Sequence, residues 1–244
     1  FRNVTGVQTC ALPISSMKYI TDAVEENKDV RIVTYSVSTT NENRLKKVLA
    51  LYLRKQGCEV LLGPIYTCVK ELLINAVKAN YKHIYFEGSA PQSPAPDIIA
   101  HDKVIRLFKL EMSREDAKTL ARLARSRDMK AEIVFHHEDD TLSISITNPI
   151  AMTPGELVKV RKKLDDARRC EDISDYFLMN ADDPENEGAG IGLVLISMIL
   201  KSLGVDQSRL DIRSLDDRTM ASLTIPLNRA TLEHYAQSTA HAAG

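Results

Sequence analysis

The chain has 244 residues, 44% hydrophobic and 27% charged, with a net charge of −1, the profile of a globular protein long enough for one large domain or two small ones. A balance so close to zero gives no general attraction to nucleic acid or to an anionic bilayer, and the longest apolar run, residues 189–200, is too short to span a membrane. Cys10, Cys58, Cys68 and Cys170 lack CxxC spacing, so neither a zinc site nor a disulfide framework is expected, and reduced thiols in a cytoplasmic protein are.

Residues 1–16 (FRNVTGVQTCALPISS) show neither helical nor strand periodicity and lack the basic start and apolar centre of a signal peptide. They resemble translated adapter sequence and are read as a non-native or disordered leader, with Met17 as the expected start. Residues 17–29 read as a linker or short helix, and residues 30–37 (VRIVTYSV), rich in β-branched side chains, as a first strand. Leu45, Val48, Leu49, Tyr52 and Leu53 then form a helical stripe that Gly57 ends.

Residues 66–87 read as one amphipathic helix that runs into a short strand at residues 83–86. At 100° per residue Thr67, Glu71, Asn75, Lys78 and Lys82 share a narrow arc, while Tyr66, Val69, Leu72, Leu73, Ala76 and Val77 lie opposite and should be core. An Asn in the middle of a strong helix suggests a task for its amide. Thr67 and Lys82 are read as solvated helix edge.

Three prolines mark the start of an insert over residues 88–130, ambiguous at first and convincingly helical over residues 113–127, where Ser113 can cap. Residues 131–137 and 141–147 read as a hairpin around Glu138-Asp139-Asp140, and its second strand delivers Asn148. Pro154 can begin a basic helix over residues 156–169. The acidic stretch after it, with Glu171, Asp172, Asp175, Asp182, Asp183, Glu185 and Glu187, reads as a mobile, solvated loop. Gly188-Ala189-Gly190-Ile191-Gly192-Leu193 opens an apolar helix that Gly204 closes; two strands follow at residues 209–214 and 220–227, then a helical or frayed tail over residues 229–244.

The order of these parts resembles the GHKL, or Bergerat-fold, ATPase superfamily, and within it a histidine-kinase-like ATPase domain over residues 30–228. Glu71-Leu-Leu-Ile-Asn75 stands upstream of Gly188-x-Gly190-x-Gly192-Leu193, with a variable lid between them. The resemblance implies an α+β fold: a two-layer α/β sandwich whose mixed, mostly antiparallel sheet carries helices on one face. It also implies Mg-ATP as ligand. Asn75 would be the protein ligand of Mg²⁺, for which an amide oxygen is a suitably hard donor, and Glu71, one turn earlier, would orient or deprotonate an attacking group. Lys78 would meet phosphate charge, and the N–H groups around Gly188, Gly190, Gly192 and Leu193 would cradle anionic oxygens. Asn148 and Thr219 would sit at the base.

The sequence departs from the family at the first glycine box, where Asn148-Pro149-Ile150-Ala151-Met152 replaces Asp-x-Gly-x-Gly, and at the last, where Arg218-Thr219 replaces Gly-Thr. His137-Glu138 has the letters of a phosphoacceptor site but falls in the predicted hairpin, and no upstream helix offers another candidate. The expectation is a signalling ATPase or kinase acting in trans on a partner protein, such as a response regulator or sigma-factor regulator. A degenerate GHKL-fold interaction module with little or no ATP turnover is the alternative.

Overall fold

A computed structural model describes residues 7–9, 15–88, 116–180 and 191–242. The chain runs β1 (Val7–Thr9), α1 (Ser15–Glu25), β2 (Val30–Thr34), α2 (Thr39–Lys55), a 3-10 turn (Glu59–Leu61) and α3 (Leu62–Gly88). It continues through α4 (Asp116–Ser126), β3 (Ala131–Glu138), β4 (Thr141–Asn148), α5 (Pro154–Arg169), α6 (Ile173–Met179) and α7 (Ile191–Ser202). Strands β5 (Leu210–Ser214) and β6 (Thr219–Pro226) precede α8 (Arg229–Ala242). The fold is α+β, with one sheet in the order β1-β2-β3-β4-β6-β5. Only the β1–β2 pair is parallel; the rest are antiparallel.

Period-two alternation decides which side of the sheet is core. Ala131, Ile133 and Phe135 of β3, Leu142, Ile144 and Ile146 of β4, and Leu223 and Ile225 of β6 are buried on one face. Thr141, Ser143, Ser145 and Thr147, between them, are half-buried on the other. The helices pack on the apolar face, and Tyr52 of α2 stacks on Phe135 with ring centroids 5.9 Å apart. The β3–β4 turn is two residues, Asp139 and Asp140, with Asp139 at φ 54.

Left-handed residues at Asn27, Gly57, Asp128 and Gly204 stop α1, α2, α4 and α7. In each, the following N–H reaches back five residues to a helix carbonyl, as from Cys58 to Leu53 at 2.8 Å and from Val205 to Leu200 at 2.9 Å. Gly57 and Gly204 are therefore the caps the sequence suggests. Asn27 and Asp128 perform the same turn with side chains that tolerate it.

Helix α3 lies at the centre. Its expected core residues, Tyr66, Val69, Leu72, Leu73, Ala76 and Val77, are all buried. By length and composition Glu59–Tyr85 would be long and apolar enough to cross a membrane, and half of its most apolar stretch is buried inside the protein. Cys58, Cys68 and Cys170 are buried and free, and burial pushes the Cys68 thiol up to about 12, so it stays protonated.

Three expectations need correction. Residues 83–86 are not a strand: the helix continues to Gly88, because Tyr81 and Ile84 extend its buried stripe and the Asn80 amide donates to the Met129 carbonyl at 3.0 Å. The acidic stretch is not all loop: Asp172 accepts from the N–H groups of Ser174 and Asp175 and starts α6. Within the supposed leader, Val7–Thr9 pairs with β2, and α1 begins at Ser15, before Met17. Of the insert, α4 is helical as expected; residues 89–115, Ser113 among them, lie outside the described residues.

Candidate functional site

A cavity of about 600 Å³ opens between α3, the end of β4, α5 and the first turn of α7. That volume is within the range of small-molecule and cofactor sites. Its floor is apolar, with Leu72, Ala76, Ile146, Ile150, Leu193 and Ala221, and its mouth is polar. Asn75, Asn148, Leu193 and Thr219, four of the residues singled out in the sequence, line this one cavity.

Asn148 and Thr219 meet because β4 and β6 are neighbours and the two residues are direct register partners. Asn148 is 3% exposed, and its Nδ2 donates to the Ile150 carbonyl at 3.4 Å. The Thr219 hydroxyl donates to the same carbonyl at 2.7 Å. With its amide N–H engaged there, Asn148 keeps Oδ1 as the atom that can accept from a ligand.

The α3 side is arranged differently. Asn75 and Lys78 are exposed and Glu71 is half-buried on the polar arc. Lys78 does not line the cavity. Glu71 adjoins α7: a Cβ built at Gly192 would collide with the Glu71 carboxylate, so this glycine lets the start of the helix approach the acid. Gly188 and Gly190 lie outside the described residues.

Several lining residues were not singled out in the sequence. Lys82, read there as solvated edge, donates to Glu156 Oε1 at 2.8 Å and joins α3 to α5 across the mouth. Glu156 also accepts from the Thr153 N–H and hydroxyl through Oε2, at 3.0 and 3.1 Å, completing a capping box that starts α5. Burial would raise its pKa, but the Lys82 hydrogen bond and the Thr153 N–H outweigh that and hold it below the usual carboxylate range. Lys159 and Lys163, one turn apart on α5, add cationic charge, and His83 lies beside Lys82. The Thr-Pro-Gly-Glu run carried the cap in plain sight; the pairing of residues 82 and 156 is a tertiary fact with no local signal.

Glu71 and Asn75 supply a carboxylate and an amide oxygen one helical turn apart, a donor set suited to a hard cation that keeps most of its waters. Among the described residues no group of three or more His, Cys, Asp or Glu could hold a metal by itself. Any cation here would need oxygens from a bound ligand as well. His137 is 5% exposed, on the interior strand β3, with its charge disfavoured by burial and by Lys55 and His136 nearby.

Compared with known proteins, the chain is 27% identical over 224 residues to a protein of Treponema pallidum (strain Nichols) described as uncharacterized. The match covers 89% of this chain and 43% of that protein, so the chain spans less than half the length of this relative. No family model and no solved structure matches the chain.

Proposed function

We propose that the chain is a histidine-kinase-like ATPase domain of the GHKL class, with a Bergerat fold, that binds Mg-ATP in the 600 Å³ cavity. The observation that carries this reading is convergence: Asn75 from the central helix, Leu193 from the glycine-opened helix, and Asn148 and Thr219 from adjacent strands line a single cavity, in the arrangement the family resemblance implies. The sheet order and the helices packed against its apolar face support it.

In this reading the adenine lies at the Asn148 end, where Oδ1 accepts from an exocyclic amine and the apolar floor takes the ring. Lys82, Lys159 and Lys163 give the mouth the cationic lining that a polyphosphate requires. Mg²⁺, held by Asn75 and phosphate oxygens, would neutralise developing charge on the transferred group. Glu71 orients or deprotonates the attacking group beside the start of α7. The protein works in the cytoplasm, on a partner protein such as a response regulator or sigma-factor regulator. It does not phosphorylate itself on His137, whose imidazole is buried.

Isothermal titration with ATP and Mg²⁺ should give saturable binding that weakens when Mg²⁺ is chelated. No heat at millimolar nucleotide would sink the proposal. The second reading, a GHKL-fold interaction module without turnover, draws on the neutral Asn148, the glycine-free Ile150-Ala151-Met152 run and Arg218, which is clamped by Asp217 at 2.7 and 2.8 Å. Binding without release of inorganic phosphate, with or without a partner, would favour it.

A further inference from the structure

The sheet ends at β5, and among the described residues nothing pairs with its outer edge. The Leu215 N–H donates to the Arg218 carbonyl at 2.7 Å across a two-residue turn, which fixes the alternation of the β5–β6 ladder. Asp211 and Arg213 therefore turn their backbone groups toward β6, and Leu210, Ile212 and Ser214 turn theirs outward. The Leu210 N–H is taken by the Gln207 carbonyl. The Leu210 carbonyl, both groups of Ile212 and the Ser214 N–H are left along the edge, a template for another strand.

Facing this edge across a cleft of about 550 Å³ is α5. Leu157, Arg161, Leu164 and Arg168, spaced i, i+4, i+7 and i+11, form one stripe toward the cleft. That stripe is separate from the Glu156, Lys159 and Lys163 face that lines the large cavity. The floor is apolar, from Leu157, Leu164 and Ile212. Two of the three arginines are already matched, Arg168 by Asp165 at 2.8 Å and Arg213 by Asp211. Arg161 is exposed and makes no ion pair among the described residues. The groove is therefore short of one negative charge.

We propose that β5 and α5 form a docking groove for an extended segment of a partner protein, with apolar, acidic and apolar residues at every second position, that adds to the sheet as a further strand. Main-chain hydrogen bonds to Ile212 set its register, and side chains of alternate residues point to one side. On that side the segment presents apolar, acidic and apolar residues in turn, the apolar ones covering Leu157 and Leu164 and the carboxylate meeting Arg161 between them. Asp165 and Asp211 on the rim disfavour a polyanion such as nucleic acid. The cleft uses its own face of α5, and Ile212 of β5 lines both cavities, so peptide and nucleotide binding are read separately.

The test uses the whole chain and a blocked heptapeptide Thr-Leu-Thr-Glu-Thr-Leu-Thr, with a counterpart carrying Lys in place of Glu and two versions N-methylated on one or the other set of alternate residues. Amide NMR should show binding that slows exchange at Ile212, and only one of the two methylated peptides should keep it, because only one edge of a strand pairs. Affinity should fall roughly tenfold for the Lys-substituted peptide and for Arg161→Glu, as expected for a lost or reversed charge pair. Ile212→Pro, which removes an outward N–H that an edge strand can spare, should abolish binding while Ile212→Val, which keeps that N–H, retains it and the amides of β3 and β4 stay native in both. Absence of binding at millimolar peptide, equal binding of both methylated forms, or shifts confined to the Asn75–Asn148 cavity would overturn the proposal. So would a dimer in sedimentation with Ile212 already protected, which would assign the edge to a second copy of the chain. None of these outcomes depends on whether ATP binds.

Discussion

At the strand end of the large cavity, Asn148 is buried and donates with Thr219 to one carbonyl, whereas at the helix end Glu71, Asn75 and Lys78 make no hydrogen bond or ion pair among the described residues. The strand end is thus part of the fold's own bonding, and its side chains would be held in place with or without a ligand. At the helix end, α3 fixes the backbone through its buried face and leaves the side chains of Glu71, Asn75 and Lys78 without such a bond among the described residues. Substitutions at the first end should cost stability and binding together, and those at the second should cost function alone.

The largest separation is expected from Glu71→Ala. If the proposed ATPase reading holds, phosphate release falls by about 10²-fold or more, the usual contribution of a positioned acid or base, while the melting temperature stays within the small change typical of a partly exposed residue. A large drop in melting temperature would show that Glu71 is structural and would break the comparison. Unchanged phosphate release would remove Glu71 from the chemistry.

At the strand end, Thr219→Val deletes the 2.7 Å bond to Ile150 and should cost about 1 kcal/mol in urea unfolding, near the mean for one hydrogen bond. Asn148→Ala leaves a small buried void as well and should cost somewhat more, with weaker nucleotide binding. Asn75→Ala is the control from the opposite end, expected to weaken Mg-dependent binding with a stability change inside about 0.5 kcal/mol. Equal stability costs for Asn148 and Asn75 would erase the distinction.

Gly192→Ala sharpens the helix end further. The added methyl lands on the Glu71 carboxylate, the far end of a flexible side chain that can swing aside, and Ala is the better helix former, though by less in this first turn than the roughly 1 kcal/mol of a helix interior. Stability should therefore hold or rise slightly while turnover falls. A loss of stability would mean that the carboxylate is fixed where it stands.

The same division explains what was legible in the sequence. The buried stripe of α3, the alternating strands β3 and β4 and the glycine stops after α2 and α7 are local periodicities and turn residues, and they reappear where they were expected. Residues 83–86, His-Ile-Tyr-Phe, carry local strand preference, but they continue a helix whose buried stripe reaches Ile84, and tertiary burial wins. Val7–Thr9 has too few residues to show a period; its strand character comes from pairing with β2. Asn148 and Thr219 could be named separately, yet their adjacency across β4 and β6 is a matter of sheet order.

Lys82 shows how a long-range partner changes a reading, and it gives the smallest of the expected effects. Its ion pair with Glu156 spans 74 residues of sequence and bridges the cavity mouth, with both side chains more than a third exposed. Solvent screening therefore limits its contribution to well under about 1 kcal/mol, despite the 2.8 Å distance. The sign follows from the depressed carboxyl. Glu156 is more acidic folded than its ordinary value of 4.5, so its contribution is complete above that pH and is lost as pH falls through the folded value. Wild type and Lys82→Met should differ slightly in urea midpoint at pH 7, converge once pH has fallen through the depressed value of folded Glu156, and also converge in molar salt. A difference that persists in acid would place the role of Lys82 in the packing of its methylene stem against the cavity wall rather than in its charge.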